Sequence, residues 1–303
     1  MNTSKNQYGE TIYTFDEYPG IEVRPDVINL RDVAKVAPGL AKHKRLVKWL
    51  LHLFQIDEVN SVHGYFSKEP GPKFVQHLIE DEFKVKLRVD NEEVLDRFPE
   101  GAFITVSNHP FGSMDGIALI YIITRRRPKF KVMVNMILNQ LSAMRPNFIA
   151  VDQAASSDPD KRAVSVAGIK EAFSMLRSGE PVGFFPAGAI GKTDKEGIIV
   201  DRQWQPAVLQ IIQKAKVPVI PIYFHGHNRK YFDWLGHHSI LLRTACLARE
   251  LFAKRNKLLH VTIGEPISVE KQAEFGKDYE ALGAYLRHAT YSLSGREITS
   301  VAD

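Results

Sequence analysis

The sequence predicts an α/β fold, with a mainly parallel mixed sheet flanked by helices and a helical region at the N-terminus. The first observation is a series of short, continuous apolar runs, each typical of a buried strand. The second is that helix-length segments separate most of these runs, and strands that alternate with helices favour parallel pairing. The runs are Ala102–Val106, Val132–Val134, Phe148–Val151, Val182–Phe185, Val217–Phe224 and Leu258–Ile263.

The composition is that of a soluble globular protein. The chain has 303 residues, of which 44% are hydrophobic and 25% charged, and this excludes disorder or a disulfide scaffold as its main character. The net charge of +5 favours neither nucleic acid nor a membrane by itself. The single cysteine, Cys246, cannot form an internal disulfide, which favours a reducing compartment. No apolar run reaches the ~18 residues of a spanning helix, and Met1–Gly20 has no signal-peptide core.

Two regions follow from the pattern along the chain: a helical region over residues 1–85 and an α/β domain over 86–303. The first thirty residues show no sustained period, so we expect them to lie loosely on the surface. Phe83–Val89 alternates apolar and charged residues, which predicts a half-buried or edge strand. The clearest helix spans about Asp160 to Arg177, with Ser157 or Asp158 as its N-cap.

A basic amphipathic segment lies in the first region. Lys42, Lys44, Arg45 and Lys48 precede an apolar run that begins at Trp49. One interpretation is an ordinary helix that packs its apolar face on the protein body. The other is a helix on a membrane surface, where cations meet anionic headgroups and tryptophan lies at the interface. A second basic run, Arg125–Lys131, either attracts anionic lipid, carrier protein or CoA phosphates, or is a solvated turn.

The segment from Ser107 to Gly116 carries the strongest chemical signal. It follows one predicted strand and precedes an apolar helix, and open α/β sheets bind ligands in such loops. His109 titrates near neutrality, and Asp115 in the first turn of the helix could accept one ring N–H. The other nitrogen would then take a proton from a substrate hydroxyl. A structural loop histidine and a helix-capping aspartate are the alternative interpretation.

Four blocks, in the same order as in the family, resemble the glycerolipid (lysophospholipid) acyltransferase superfamily. The first is Asn108-His109 followed by Asp115, which is similar to the family's Asn-His-x-x-x-x-Asp signature. The string from Asn108 to Gly116 looks most like the bacterial hemolysin-like branch, which includes acyltransferases for amino-acid-containing lipids. The other blocks are Pro146–Ile149, Phe185–Ala189 and Val217–Ile222.

The resemblance implies acyl transfer from acyl-CoA or acyl carrier protein to the hydroxyl of a lyso-lipid. It makes His109 the general base and Asp115 its orienting partner, with no covalent acyl-enzyme, bound cofactor or metal. We expect substrate contacts from the same blocks and from nearby cations. These positions are Asn108, Gly112, Ser113, Pro186, Gly188, Lys192, Arg145 and Arg202.

Three departures from the family pattern bear on the acceptor. The histidine and aspartate are one residue further apart than usual, and Gly112 can absorb the extra residue because glycine tolerates unusual backbone angles. Val151 and Ile190 stand where the family has arginines that hold an acceptor phosphate, and Ala187 replaces a glutamate. We therefore favour an amino-acid-containing lyso-lipid as acceptor. A 1-acylglycerol-3-phosphate acyltransferase is the alternative.

Other classes of function are also open. His225-Gly226-His227, with Asp233 and His237-His238, carries zinc-type ligands, but a closed site needs a defined set, and we expect no metal. The cluster follows a strand at the same sheet edge, so a wall of the acceptor pocket is a second interpretation, and no special role is the third. A non-catalytic lipid-binding protein would keep the basic helix without needing His109. The basic residues are dispersed, so we expect no nucleic-acid partner. The expected partners are a lyso-lipid, an acyl donor and an anionic membrane, for a cytoplasmic enzyme peripheral on the inner face of the cell membrane.

Overall fold

A three-stranded antiparallel sheet forms the N-terminus of the computed structural model, which describes residues 1–152 and 158–296, apart from the side chains of residues 160, 237, 240 and 241. The expectation of a loose N-terminus is wrong. Ile12 and Val23 are buried, and the backbone N–H of Arg24 donates to Ser142 Oγ at 3.0 Å. These contacts join residues that are distant in the chain, so no local period reveals them. The strands are β1 (Asn2–Lys5), β2 (Thr11–Phe15) and β3 (Tyr18–Val23).

Short helices follow this sheet and are tied to the body by a buried histidine. The Nε2 atom of His63 accepts from the backbone N–H of Ala143 at 3.1 Å, and Nδ1 donates to the carbonyl of Pro25 at 2.8 Å. Burial lowers the pKa of His63 to about 4, so the ring is neutral near pH 7. The helices are α1 (Leu30–Val36), α2 (Pro38–Ala41), α3 (Lys44–Leu53), α4 (Ile56–Phe66) and α5 (Pro72–His77), the last continued by a π-helical turn over Leu78–Glu82.

A seven-stranded mixed sheet is the centre of the molecule, which confirms the predicted fold class. Every predicted apolar run overlaps one of its strands, and the alternating segment near residue 85 includes an edge strand, as predicted. The strands of this sheet are β4 (Lys86–Asp90), β5 (Ile104–Ser107), β6 (Lys131–Asn135), β7 (Phe148–Val151), β8 (Val182–Phe184), β11 (Val219–His225) and β12 (Leu258–Ile263), and a separate hairpin comprises β9 (Lys192–Thr193) and β10 (Ile199–Val200).

The strand order is β4-β12-β11-β5-β8-β6-β7, and the only antiparallel pair in this sheet, whose strands are all described, is β11 with β12. The neighbours β5 and β8 are parallel, so their carboxyl ends meet at one edge. The loops after Ser107 and after Phe184 therefore lie side by side. This edge holds the candidate site.

Helices cover both faces of the sheet. One core contains the apolar side chains of helix α6 (Met114–Thr124) with Phe74 and Phe224, and the other contains Leu209, Ile212 and Leu282. No described helix combines the length and apolar character needed to cross a bilayer. The helices are α6 (Met114–Thr124), α7 (Pro159–Arg177), α8 (Pro206–Ala215), α9 (Lys230–His238), α10 (Ile240–Ala245), α11 (Leu247–Phe252), α12 (Val269–Ala273) and α13 (Tyr279–Ser292), with 3₁₀ turns over Glu92–Arg97, Met136–Gln140 and Ser142–Asn147. Helix α7 begins at Pro159; Ser157, one of its two predicted N-caps, lies outside the described residues.

Candidate active site

His109 and Asp115 meet at the carboxyl edge of the sheet. Nδ1 of His109 lies 2.9 Å from Oδ2 of Asp115; the His109 side chain is 18% exposed and that of Asp115 is fully buried. The ring N–H is not aligned with the carboxylate oxygen, so the contact is close without being a linear hydrogen bond. Catalytic hydrogen bonds are often poorly aligned without substrate and tighten when it binds.

The segment from His109 to Asp115, called the motif turn below, holds the Asp115 carboxylate in place with its backbone. Oδ2 accepts from the N–H groups of Phe111 at 2.9 Å and Gly112 at 3.1 Å. Burial raises the pKa of Asp115, but the adjacent His109 and these N–H donors outweigh burial, so the pKa lies below its usual value. Asp115 is therefore a fixed negative charge at neutral pH.

The charge of Asp115 in turn raises the pKa of the His109 imidazole. Burial lowers the pKa of His109, but the carboxylate outweighs burial, and the net pKa lies above its usual value. The ring also contacts an aromatic neighbour, Phe185, with ring centroids 4.3 Å apart. Phe185 belongs to a block noted in the sequence but was not among the predicted site residues.

Gly112 shapes the longer turn between the two residues. Its φ is +79°, a backbone conformation that favours glycine. A Cβ atom here would lie 2.3 Å from Cδ1 of Ile190, so the turn is also closely packed. Ser113 precedes α6 as its N-cap, and its hydroxyl makes no capping hydrogen bond.

Asp201 also contacts the His109 loop, although no sequence pattern predicts it. Its Oδ1 accepts from the backbone N–H of His109 at 3.1 Å, and its Oδ2 lies 3.2 Å from the indole nitrogen of Trp204. Burial raises the pKa of Asp201 to about 6, against the opposing effect of the hydrogen bond from His109. No local pattern marks this aspartate, because its partner lies 92 residues earlier in the chain.

Asn108 links two strands. Its Nδ2 donates to the carbonyl of Phe224 at 3.0 Å, and its Oδ1 accepts from the Phe224 N–H at 2.7 Å. The side chain is buried, so these bonds join the end of β5 to β11. The structure therefore gives Asn108 main-chain partners where the sequence predicted a substrate contact.

The loop after β8 and the β9–β10 hairpin form the other side of the site. The carbonyl of Pro186 accepts from the Gln205 N–H at 3.0 Å, and Gly188, with φ +63°, donates to the Phe185 carbonyl. The hairpin, which carries Lys192, is joined to the motif turn because the Gly191 N–H donates to the His109 carbonyl at 2.9 Å.

The two predicted arginines have different positions. Arg145 donates to the carbonyls of Asn139 at 2.8 Å and Glu22 at 2.9 Å, so it ties a 3₁₀ turn to the N-terminal sheet. None of its described contacts brings it to the His109 loop. Arg202 directly follows Asp201 and therefore lies beside the site.

His225 and His227, from the segment considered for zinc binding, contact neighbouring protein groups. His225 Nε2 lies 2.8 Å from Thr262 Oγ1, its ring stacks on His260, and burial lowers its pKa to about 4. His227 Nδ1 lies 2.6 Å from the Asn228 carbonyl. Within residues 1–152 and 158–296, without the His237 side chain, no three His, Cys, Asp or Glu residues are arranged to hold a metal. Cys246 is buried, and burial raises its thiol pKa.

Comparison with known proteins adds to this geometry. Residues 31–297 match the model of a protein family described as acyltransferase. A lyso-glycine lipid O-acyltransferase of Bacteroides thetaiotaomicron is 29% identical over 255 residues, covering 80% of this chain and 90% of that protein. The protein of the same name from Phocaeicola vulgatus is 28% identical over 257 residues, covering 80% and 88%. The crystal structure of a 1-acyl-sn-glycerophosphate acyltransferase from Thermotoga maritima aligns over 89% of this chain and 95% of that one, with 15% identity and a TM-score of 0.45.

Proposed function

The chain belongs to the acyltransferase family, and from that premise we propose that it transfers a fatty acyl group from an acyl thioester to the hydroxyl of a lyso-lipid with an amino-acid headgroup. The observation that carries this proposal is the His109–Asp115 pair at the carboxyl edge of the sheet. A single general base suffices for direct transfer between a hydroxyl and a thioester.

The mechanism follows from the position of the imidazole. Nδ1 of His109 faces the Asp115 carboxylate, so Nε2 is the nitrogen available to substrate. Nε2 takes the proton from the acceptor hydroxyl as its oxygen attacks the thioester carbonyl. When the C–S bond breaks, the imidazolium returns that proton to the departing thiolate. Asp115 stabilises the imidazolium throughout, and the donor is acyl-CoA or acyl carrier protein.

Two observations favour an amino-acid headgroup over a phosphate. The two relatives are named for a lyso-glycine lipid. In addition, Ile190, which stands where the family often has an arginine, lies in the contact region of Gly112, so an apolar side chain fills that part of the motif turn. A phosphate-holding arginine is absent from this position.

A panel of acceptors tests the proposed function. We expect the purified protein with labelled acyl-CoA or acyl carrier protein to acylate lyso-glycine lipid at least about tenfold faster than lysophosphatidate, because Val151 and Ile190 stand at the positions of the family's phosphate-binding arginines. Products are identified by mass spectrometry. Acylation of lysophosphatidate alone would replace the proposed acceptor, and no transfer to any lyso-lipid would contradict the function itself.

We also propose that helix α3 holds the enzyme on an anionic membrane from the cytoplasmic side. Of its ten residues, all described, only Val47 is buried, while Leu46, Trp49 and Leu53 are 44%, 57% and 38% exposed. Its cations are Lys44, Arg45 and Lys48.

The second basic run, Arg125–Lys131, is a weaker candidate for membrane binding because most of its cations are paired. The pairs are Arg126 with Asp96, Lys129 with Glu180 and Lys131 with Glu171.

Replacing the three α3 cations with glutamine is expected to weaken binding to anionic vesicles roughly 100-fold, since each cation near such a surface contributes about 1 kcal/mol. Cosedimentation at low and high salt measures this effect, and binding of the unchanged protein should fall with salt. Lys129→Gln/Lys131→Gln is the matched control and should bind normally. If the α3 variant bound as the unchanged protein does, α3 would not be the electrostatic anchor.

A further inference from the structure

Arg243, a buried arginine that is not among the predicted site residues, lies beside the motif turn. Arg243, on α10, is 7% exposed, and its Nη2 donates to the carbonyl of Gly191 at 2.7 Å. The N–H of the same Gly191 donates to the carbonyl of His109. Gly191 therefore links the Arg243 guanidinium to the backbone of the motif turn. The charge of Arg243 also acts on the imidazole, lowering the pKa of His109 in opposition to Asp115.

A second arginine lies close to the first. Arg202 directly follows Asp201, whose carboxylate accepts a hydrogen bond from the His109 backbone N–H. Burial lowers the pKa of Arg243, Asp233 offsets part of this effect, and the neighbouring charge of Arg202 lowers the pKa further. The positive charges of Arg202 and Arg243 are therefore close enough to repel each other.

Both arginines keep an unused hydrogen-bond donor. The Nε atoms of Arg202 and Arg243 are buried, and neither has a hydrogen-bond partner within the described part of the chain. Leaving a buried donor without a partner is costly, and the cost is larger for a charged group. Asp233 reduces the local positive charge but forms no ion pair with either guanidinium among the described contacts. A bound anion would offset both positive charges and relieve the repulsion between them.

We propose that Arg202 and Arg243 together bind the headgroup carboxylate of the acceptor lipid and so select an acidic amino-acid lipid beside His109. This inference rests on the proposed function, because it names the part of the acceptor that the site recognises. A planar guanidinium offers parallel N–H donors that match a carboxylate. A glycine acylated on its nitrogen carries one such carboxylate.

The test compares two acceptors, lyso-glycine lipid and its carboxyl methyl ester, which lacks the negative charge and adds one methyl group. We expect Arg243→Gln and Arg202→Gln each to reduce kcat/KM for the carboxylate acceptor roughly 10- to 100-fold, mainly through KM, since hydrogen bonds to charged groups are strong. The ester should change less than about threefold, because it makes no charge-assisted bond. Arg243→Lys keeps the charge and should recover part of the preference. Arg125→Gln, which removes an exposed arginine, is the control.

Direct binding separates this inference from the proposed function. The binding of N-palmitoylglycine and of its methyl ester is measured by calorimetry on the unchanged protein and on each variant, with thermal denaturation as a folding check. Tighter binding of the acid, lost in Arg243→Gln, supports the carboxylate site even if no transfer occurs. Equal losses for acid and ester would overturn it, as would a change confined to the KM of the acyl donor. A stronger dependence on Arg243 for lysophosphatidate would assign the site to phosphate instead.

Discussion

His109→Ala is expected to reduce acyl transfer on the order of 10³-fold or more, because it removes the proposed base that takes the proton from the acceptor hydroxyl. The imidazole is held by Asp115, by Phe185 and, through its backbone, by Asp201, so the variant removes the base from a site that otherwise remains assembled. The measurement is the rate of labelled acyl transfer to lyso-lipid at saturating donor.

Two further readouts make this prediction decisive. His288→Ala removes an exposed histidine on α13 and should keep full activity. Vesicle binding by His109→Ala should equal that of the unchanged protein, because α3 is remote from the motif in the chain. A variant with full transferase activity would contradict the mechanism. If neither protein transferred acyl groups while both bound lipid, the non-catalytic alternative would be favoured.

Asp115→Asn is expected to lower kcat/KM on the order of 10²-fold, since the imidazolium formed during the reaction loses its counter-charge. The amide is nearly the same size as the carboxylate, and its oxygen can still accept from Phe111 and Gly112. However, its NH₂ group would face the N–H of Gly116, which now donates to Oδ1 at 2.9 Å. We therefore also expect a loss of about 1–3 kcal/mol in the free energy of unfolding.

The pH dependence of the same variant tests the electrostatics. In the unchanged enzyme the pKa of His109 is raised by Asp115 against burial, so activity should rise with pH and level off only above the usual histidine pKa. Without the charge, burial dominates and lowers that pKa, so the acidic limb should move to lower pH while the plateau falls. Asp96→Asn, an exposed acid paired with Arg126, is the control. An unshifted acidic limb in Asp115→Asn would show that His109 is not the titrating base.

The strands and the motif could be predicted because their signals are local. A run such as Phe148–Val151 is apolar since both faces of a central sheet are covered, and that composition is present in the sequence itself. His109 and Asp115 are close in the chain and separated by a turn that glycine permits, so their meeting could be predicted from their spacing. The N-terminal sheet could not be predicted, because its supporting contacts reach residues such as Ser142.

The sequence by itself determined the α/β class, the seven strands of the central sheet in chain order, and the candidate base with its carboxylate. Only the tertiary structure decided which groups surround that pair. In the folded protein, Asp201 bonds to the His109 backbone and Asn108 bonds to Phe224. Arg145 contacts the N-terminal sheet, and Arg243 bonds to Gly191 next to His109. Apolar periodicity records which face of an element is buried. A hydrogen bond between residues 92 or 116 positions apart leaves no period, since strand order and helix packing alone bring its two ends together.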